Sequence, residues 1–469
     1  MTSIEQWQLR AAFAHSLSDT YGREVPAYTT LVEVSQQVNA DVLARSGADA
    51  ERLGSIARVT AERHGAIRVG TQAELGQVAR IFGALGMHPV GFYDLRDAAA
   101  SAVPVVSTAF RPVEAGELAR NPFRVFTSLL TPADPRFFDD DLRRRLEDFL
   151  AARELFPPEL LALADRAERE RALPEPDARR FLELAVGAFA LSPEPIDKAW
   201  YDELERVSAV AADIGGVRST HVNHLTPRVL DIDELYQRMQ ARGIAMIDAI
   251  QGPPRWDGPD LLLRQTSFRA LAEPRAMRLP DGAVEPGELR VRFGEVEARG
   301  IAPTRAGRAR YDALLAEVDR RVAADPRAPR PEIERAVWAT GLPATERGLI
   351  ADGLAYFTYH VRPDRPIDHR PPTTVEDLLD GGWVRAEPIV YEDFLPRSAA
   401  GIFQSNLTGK GARDDTRAAV HYDRDWLAGA LGRDVHDPFD LYQRQQGESI
   451  AQVERSLQLV GSVGQAALP

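Results

Sequence analysis

HGAIRVGTQAEL (residues 64–75) returns as HLTPRVLDIDEL (residues 224–235), with the His, the Arg-Val pair and the Glu-Leu pair in the same places at a constant offset of 160 residues. The text around each copy repeats as well. After a strand-like HGAIRVG, Thr71 is positioned to cap a helix running to about Gly86, and GMHPVGFYDL turns extended again. In the second copy DIDELYQRMQARGIAMIDAI restores the order strand, helix, strand. Both copies close on a strand containing Arg-Val, FRVFTSLL (123–130) and LRVRFGEVEARG (289–300). Laying Phe126 over Phe293 sets Ser128 opposite Glu295. A repeat of this kind predicts two modules of one ancestry and an α+β fold.

Around the modules the chain reads as added elements. Residues 1–60 are helical in pattern, with SDTYGREVPAY as a loop between two amphipathic runs. The first module is expected over 61–133 and the second over 216–300, separated by a helical insertion, 134–215, rich in charge and in Leu and Phe at helical spacing. Residues 301–469 mix helices with Pro-rich loops and include LPRSAAGIFQSNLTG.

Composition narrows the chemistry. At 469 residues the chain exceeds the roughly 250–300 at which a single core stops growing. It has no cysteine, which excludes disulfides, thiolate metal sites and thiol nucleophiles, so any metal is left to His and carboxylate. A net charge of −13, with acidic residues spread rather than clustered, argues against nucleic acid or an anionic membrane as partner and favours a small molecule. MTSIEQWQLRAAFAHSL reads as an amphipathic helix rather than a leader, and no apolar run approaches the ~18 residues of a membrane span, so a cytoplasmic protein is expected.

Two His on equivalent strands of duplicated modules are placed to face one cavity. With one carboxylate they make the two-His, one-carboxylate set that leaves positions open for a chelating substrate and dioxygen, the arrangement of non-haem Fe(II) oxygenases. Glu295, on the last strand of the second module, is the expected third ligand, although Glu297 shares its strand face and spacing alone does not separate the two. His221 lies on the opposite strand face from His224, and the repeat selects His224 as the partner of His64. Arg68, four residues after His64, shares its face with Cα atoms about 13 Å apart. That spacing suits a substrate with two ends, a 2-oxo acid chelated near His64 and a distal carboxylate taken by Arg68. His88, His360, His369 and His421 have no counterpart in the repeat and are left as structural or as supports behind the ligands.

Several longer stretches carry a resemblance. YGREVPAYTTLVEV, ERHGAIRVGT, NPFRVFTSLL, HVNHLTPRVLDID, RQTSFRALAE, VRFGEVEARG and YEDFLPRSAAGIFQSNL, spanning about residues 21–407, resemble the 2-oxoadipate dioxygenase/decarboxylase family of the vicinal oxygen chelate superfamily. The resemblance implies paired βαβββ modules forming an incomplete barrel around a metal. It also implies an Fe(II) oxidoreductase of lysine catabolism that turns 2-oxoadipate and O2 into D-2-hydroxyglutarate and CO2, by decarboxylation and intramolecular hydroxylation. Its metal ligands would fall on His64, His224 and Glu295, and its substrate contacts on Arg68 and on the segment at Arg397 and Ser398. Two other functions fit the same scaffold: a metal-dependent isomerase or lyase of glyoxalase type, separated by O2 consumption, and a non-catalytic small-ligand binder, which has no evident use for three metal-competent residues.

Overall fold

The first repeat folds into a strand (Arg63–Val69), a helix (Gln72–Ala84) and three further strands (His88–Asp94, Val105–Arg111, Arg124–Leu130). These come from a computed structural model that describes residues 3–97, 102–290, 292–365, 370–395 and 413–459. Arg397, Ser398 and His369 lie outside the described residues. Thr71 caps the helix as expected: its hydroxyl accepts from the Glu74 N–H at 3.1 Å while the Glu74 carboxylate accepts from the Thr71 N–H at 3.1 Å. The repeated Leu is a core residue in both copies, Leu75 under the first helix and Leu235 under the second. The Val105–Arg111 strand, which completes βαβββ, is one the strand reading passed over.

In the second copy the strand His224–Pro227 leads to the helix Ile232–Ala241, capped by Asp231, and then to strands Leu263–Ser267 and Glu295–Arg299. The strand expected directly after the helix is reduced to isolated bridges, Met246 to Phe268 and Gln251 to Gln265. Gly252 at φ +106° followed by Pro253 and Pro254, which have no N–H to donate, breaks the ladder there. A hairpin, Glu273–Arg278 with Val284–Leu289, is inserted before the last strand.

The two copies share one curved surface. Arg63–Val69 pairs in parallel with Arg124–Leu130 on one side and antiparallel with His224–Pro227 on the other. A parallel bridge from Arg228 to Glu297 then carries the surface on to Glu295–Arg299, which pairs antiparallel with Leu263–Ser267. The result is an incomplete barrel, not a closed one. Register corrects one detail of the letter alignment: Arg68 lies beside Ser128 and Arg228 beside Glu297, so Ser128 corresponds to Glu297 rather than Glu295. The slip is two residues, so it leaves every side chain on its own face.

SDTYGREVPAY is not a loop. One helix runs from Gln6 to Glu24 and the next from Pro26 to Ser46, so only Val25 separates them. Pro26 at the first position of the second helix sets the break, and the buried, edge-to-face Tyr21–Tyr28 pair (5.2 Å) closes the angle. Residues 140–215 form five helices, Asp140–Ala151 to Ala209–Gly215. The main core runs from Leu9 to Phe293 and takes in Phe394 and Leu431, while a second apolar cluster, including Trp338, Phe357 and Ile450, underlies the C-terminal part.

Gly294 starts the Glu295 strand under tight constraint. A Cβ there would lie 2.2 Å from the ring of Phe268, which is fully buried and whose N–H donates to the Gly294 carbonyl at 3.0 Å. Gly294→Ala is expected to cost about 1–3 kcal/mol through overpacking, read as a lower urea midpoint with an unchanged denaturant slope.

Candidate metal centre

Antiparallel pairing of two equivalent strands decides where the two His fall. Gly65 pairs with Leu225, so His64 lies opposite Thr226 and His224 opposite Ala66. His64 and His224 are therefore diagonal neighbours on one face, and their rings meet edge to face at 5.6 Å. Glu295 reaches both, with Oε2 at 3.4 Å from His64 Nε2 and Oε1 at 3.5 Å from His224 Nδ1. Ligand atoms of these three residues lie within 4.8 Å of one another, and it is the metal-competent cluster found among the described residues.

All three side chains are buried, and neither ring nitrogen of His64 or His224 makes a hydrogen bond of ordinary geometry among the described residues. Buried polar atoms are rarely left so. The nitrogens that face Glu295, His64 Nε2 and His224 Nδ1, converge with it unmatched and fit a divalent transition metal, and the donor set suits Fe, Zn or Mn rather than Ca or Mg. Burial holds the His224 pKa down to about 4 against the pull of Glu295, so its ring is neutral and able to donate a lone pair. Burial also disfavours a charged His64, but Glu297 and Glu295 beside it outweigh that and hold its pKa above the ordinary value. Aromatic rings close the site: Phe394 lies 4.9 Å from the His64 ring and Phe293 5.3 Å from that of His224.

Glu297, which spacing did not separate from Glu295, takes a different place. Its Oε2 is 3.1 Å from His64 Nδ1, on the far side of the ring from Glu295, and its Oε1 accepts from Arg299 Nε at 2.7 Å. His221 stands apart from the cluster, 3.4 Å from Asp213 and 3.2 Å from the Asn223 amide, and burial drives its pKa down to about 4.

Arg68 is buried on the face its spacing implies and donates through Nη1 to Asp213, whose carboxylate also accepts from Asn223 Nδ2 at 2.9 Å. Asp213 belongs to the short helix Ala209–Gly215, and nothing in the sequence pairs it with Arg68; this was missed. A cavity of about 660 Å3 reaches Asp213 and His221, with Arg218, Arg275 and Arg278 on its walls. Phe394 was missed too, since it comes from a segment 99 residues beyond Glu295. Arg111 and Arg124 hold that segment down through Asp393 (2.9 Å) and Glu392 (2.8 Å).

A βαβββ module joined edge to edge with a second copy that has lost one strand to isolated bridges, with a two-His, one-Glu cluster at their junction, defines an incomplete α+β barrel built around a candidate metal centre. The model of the 2-oxoadipate dioxygenase/decarboxylase family matches residues 13–406, and the chain belongs to that family of enzymes. It is 58% identical to a Mycobacterium bovis protein named 2-oxoadipate dioxygenase/decarboxylase, over 96% of this chain and 98% of the relative. An Escherichia coli protein of the same name is 38% identical over 95% and 98%. The crystal structure of hydroxyglutarate synthase from Pseudomonas putida, in complex with 2-oxoadipate, is similar with a TM-score of 0.84 and 38% identity, covering 98% of this chain and 100% of that one.

Asp213 is the buried counter-charge of Arg68. Burial alone would raise its pKa, but His221 and Arg68 hold it below the ordinary carboxylate value. The stability it confers is therefore complete above pH ~4 and is lost as pH falls through the depressed folded value. Asp213→Ala, which strands the guanidinium, is expected to cost about 3–5 kcal/mol in chemical denaturation at neutral pH.

Proposed function

We propose that the chain is an Fe(II)-dependent dioxygenase/decarboxylase acting on 2-oxoadipate and O2 to give D-2-hydroxyglutarate and CO2, a step of lysine catabolism in the cytoplasm. The observation that carries it is the convergence of His64, His224 and Glu295 on one buried point, with Arg68 further along the same strand face as His64. The first three would hold the metal. No described helix is long and apolar enough to cross a membrane.

Bound there, Fe(II) would supply open positions for the 2-oxo acid and O2 and the redox capacity to activate O2. The chain's own residues supply position and exclusion. Arg68, braced by Asp213 and Asn223, would hold the distal carboxylate by a charge-assisted pair, fixing which carbon lies next to the metal. Arg397 and Ser398 would complete the hold on the substrate. Phe293 and Phe394 line the site with apolar rings that keep bulk water from the reacting end. The overall change balances without an outside reductant: the C–C bond to the departing CO2, the O–O bond and one C–H bond break, and of the two oxygen atoms one enters the new carboxylate while the other is inserted into that C–H bond as the hydroxyl.

Titration of the purified protein with Fe(II) under 2-oxoadipate, following O2 uptake and product by mass spectrometry, tests the reaction. Equal uptake of O2 and release of 2-hydroxyglutarate, abolished by a chelator and restored by Fe(II), is expected. Metal-dependent turnover without O2 uptake would instead favour an isomerase or lyase, and ligand binding without turnover a binding protein. Arg68→Ala is expected to weaken 2-oxoadipate binding at least 100-fold, about 3 kcal/mol, with metal affinity nearly unchanged. His224→Ala is expected to abolish metal loading and His221→Ala to retain it; the reverse would overturn the ligand assignment.

A further inference from the structure

From the contacts on the far side of the His64 ring we infer that Glu297 is a positioning residue: its carboxylate accepts a hydrogen bond from the Nδ1–H of His64, which keeps the proton on Nδ1 and presents an unprotonated Nε2 to the metal. The inference rests on the metal reading above and assigns a role to the one carboxylate of the GEVE stretch that the proposed ligand set leaves unused.

The geometry divides the two carboxylates cleanly. Glu295 meets both His, whereas Glu297 meets His64 at the other nitrogen and does not meet His224. A histidine that binds metal through one nitrogen commonly gives its other N–H to a carboxylate, which fixes tautomer and ring orientation. Here the carboxylate is itself fixed. Glu297 Oε1 lies 2.6 Å from Arg299 Nη2 and 2.7 Å from its Nε, so Oε2 is the oxygen left for His64. Arg299 in turn donates through Nη1 to the carbonyls of Tyr391 (2.8 Å) and Asp393 (2.9 Å). The same chain of contacts therefore orients the His64 ring from one edge and holds the segment whose Phe394 packs against its face. Every member is buried, so the orientation does not depend on solvent.

Arg299 also makes the role testable, because it dictates how an amide would lie at position 297. In Glu297→Gln the amide oxygen must stay with the guanidinium donors, which turns the NH2 toward His64 Nδ1. Nδ1 would then have to accept, leaving the proton on Nε2, where the metal binds.

The experiment is an anaerobic Co(II) titration of the full-length protein, read by visible absorption, with wild type, Glu297→Gln and Asp134→Asn compared. Asp134 is a buried carboxylate too, but it pairs with Arg96 and Arg136 and has no contact with the His64 cluster or the segment that covers it. Glu297→Gln is expected to weaken Co(II) binding about 10–100-fold and to alter the visible bands, with Asp134→Asn close to wild type. Equal affinity in wild type and Glu297→Gln, or equal weakening in both variants, overturns the inference and leaves the metal site standing. No binding by wild type overturns the metal reading itself. Should Glu297→Gln fail to fold, long-range 1H–15N spectra of zinc-loaded wild type decide: a His64 ring protonated at Nδ1 is expected, and protonation at Nε2 overturns the assignment.

Discussion

The pairing of Arg63–Val69 with His224–Pro227 is the contact on which the site depends. It joins the two repeats edge to edge, and its antiparallel sense turns an equivalence in sequence into a meeting in space. Equivalent residues on two such strands lie on one face, at equal distances on opposite sides of the centre of pairing. That centre is Gly65 opposite Leu225, where a Cβ on residue 65 would already touch the Leu225 side chain at 3.1 Å. Moving the register by one residue would send one His to the other face. The Glu295 strand completes the set because it continues the same surface through the Arg228–Glu297 bridge.

Behind that face lies an unusual amount of buried charge. Glu62 pairs with Arg124 and, at 2.9 Å, with Arg228; Arg124 reaches Glu392, Glu392 meets Arg58, and Arg111 and Tyr442 hold Asp393. Such pairs rarely add net stability over an apolar core, since desolvation offsets most of the attraction. Their geometric consequence is firmer. Guanidiniums accept only a few arrangements of oxygen around them, so strands from both repeats and the 391–395 segment are tied at defined angles. Glu62 is held ionised although fully buried, because Arg124, Arg228 and Arg58 outweigh the cost of burial.

The sequence carried the module pattern in its turn chemistry more than in its strands. Thr71 and Asp231 cap equivalent helices, and Leu75 and Leu235 pack equivalent cores, so four of the repeat's features have local physical causes. The meeting of His64 with His224 rather than His221 was legible for the same reason, because strand parity separates residues three apart. What was not legible depends on tertiary contact. Tyr21 looked like loop text because Gly22 and Pro26 flank it, yet its ring is buried and its hydroxyl donates to the carbonyls of Asn223 and Phe293, on both flanks of the site. Asp213, Phe394 and the Glu62 network come from distant stretches that share no period with the modules.

The two copies have kept one half of their repeat in common and let the other diverge. Each contributes a His to one cluster, but their arginines part company. Arg68 is the sixth residue of a seven-residue strand and lies beyond the stretch paired with the second copy, and its guanidinium meets Asp213 from a helix that has no counterpart in the second copy. Arg228 follows Pro227, where the second strand stops after four residues, and it turns instead to Glu62 and the Leu53 carbonyl. A scaffold with local two-fold character thus carries a symmetric pair of imidazoles and a one-sided guanidinium. Such a site distinguishes the two ends of a ligand, which a fully symmetric one does not, and the proposed substrate has one 2-oxo acid end and one plain carboxylate.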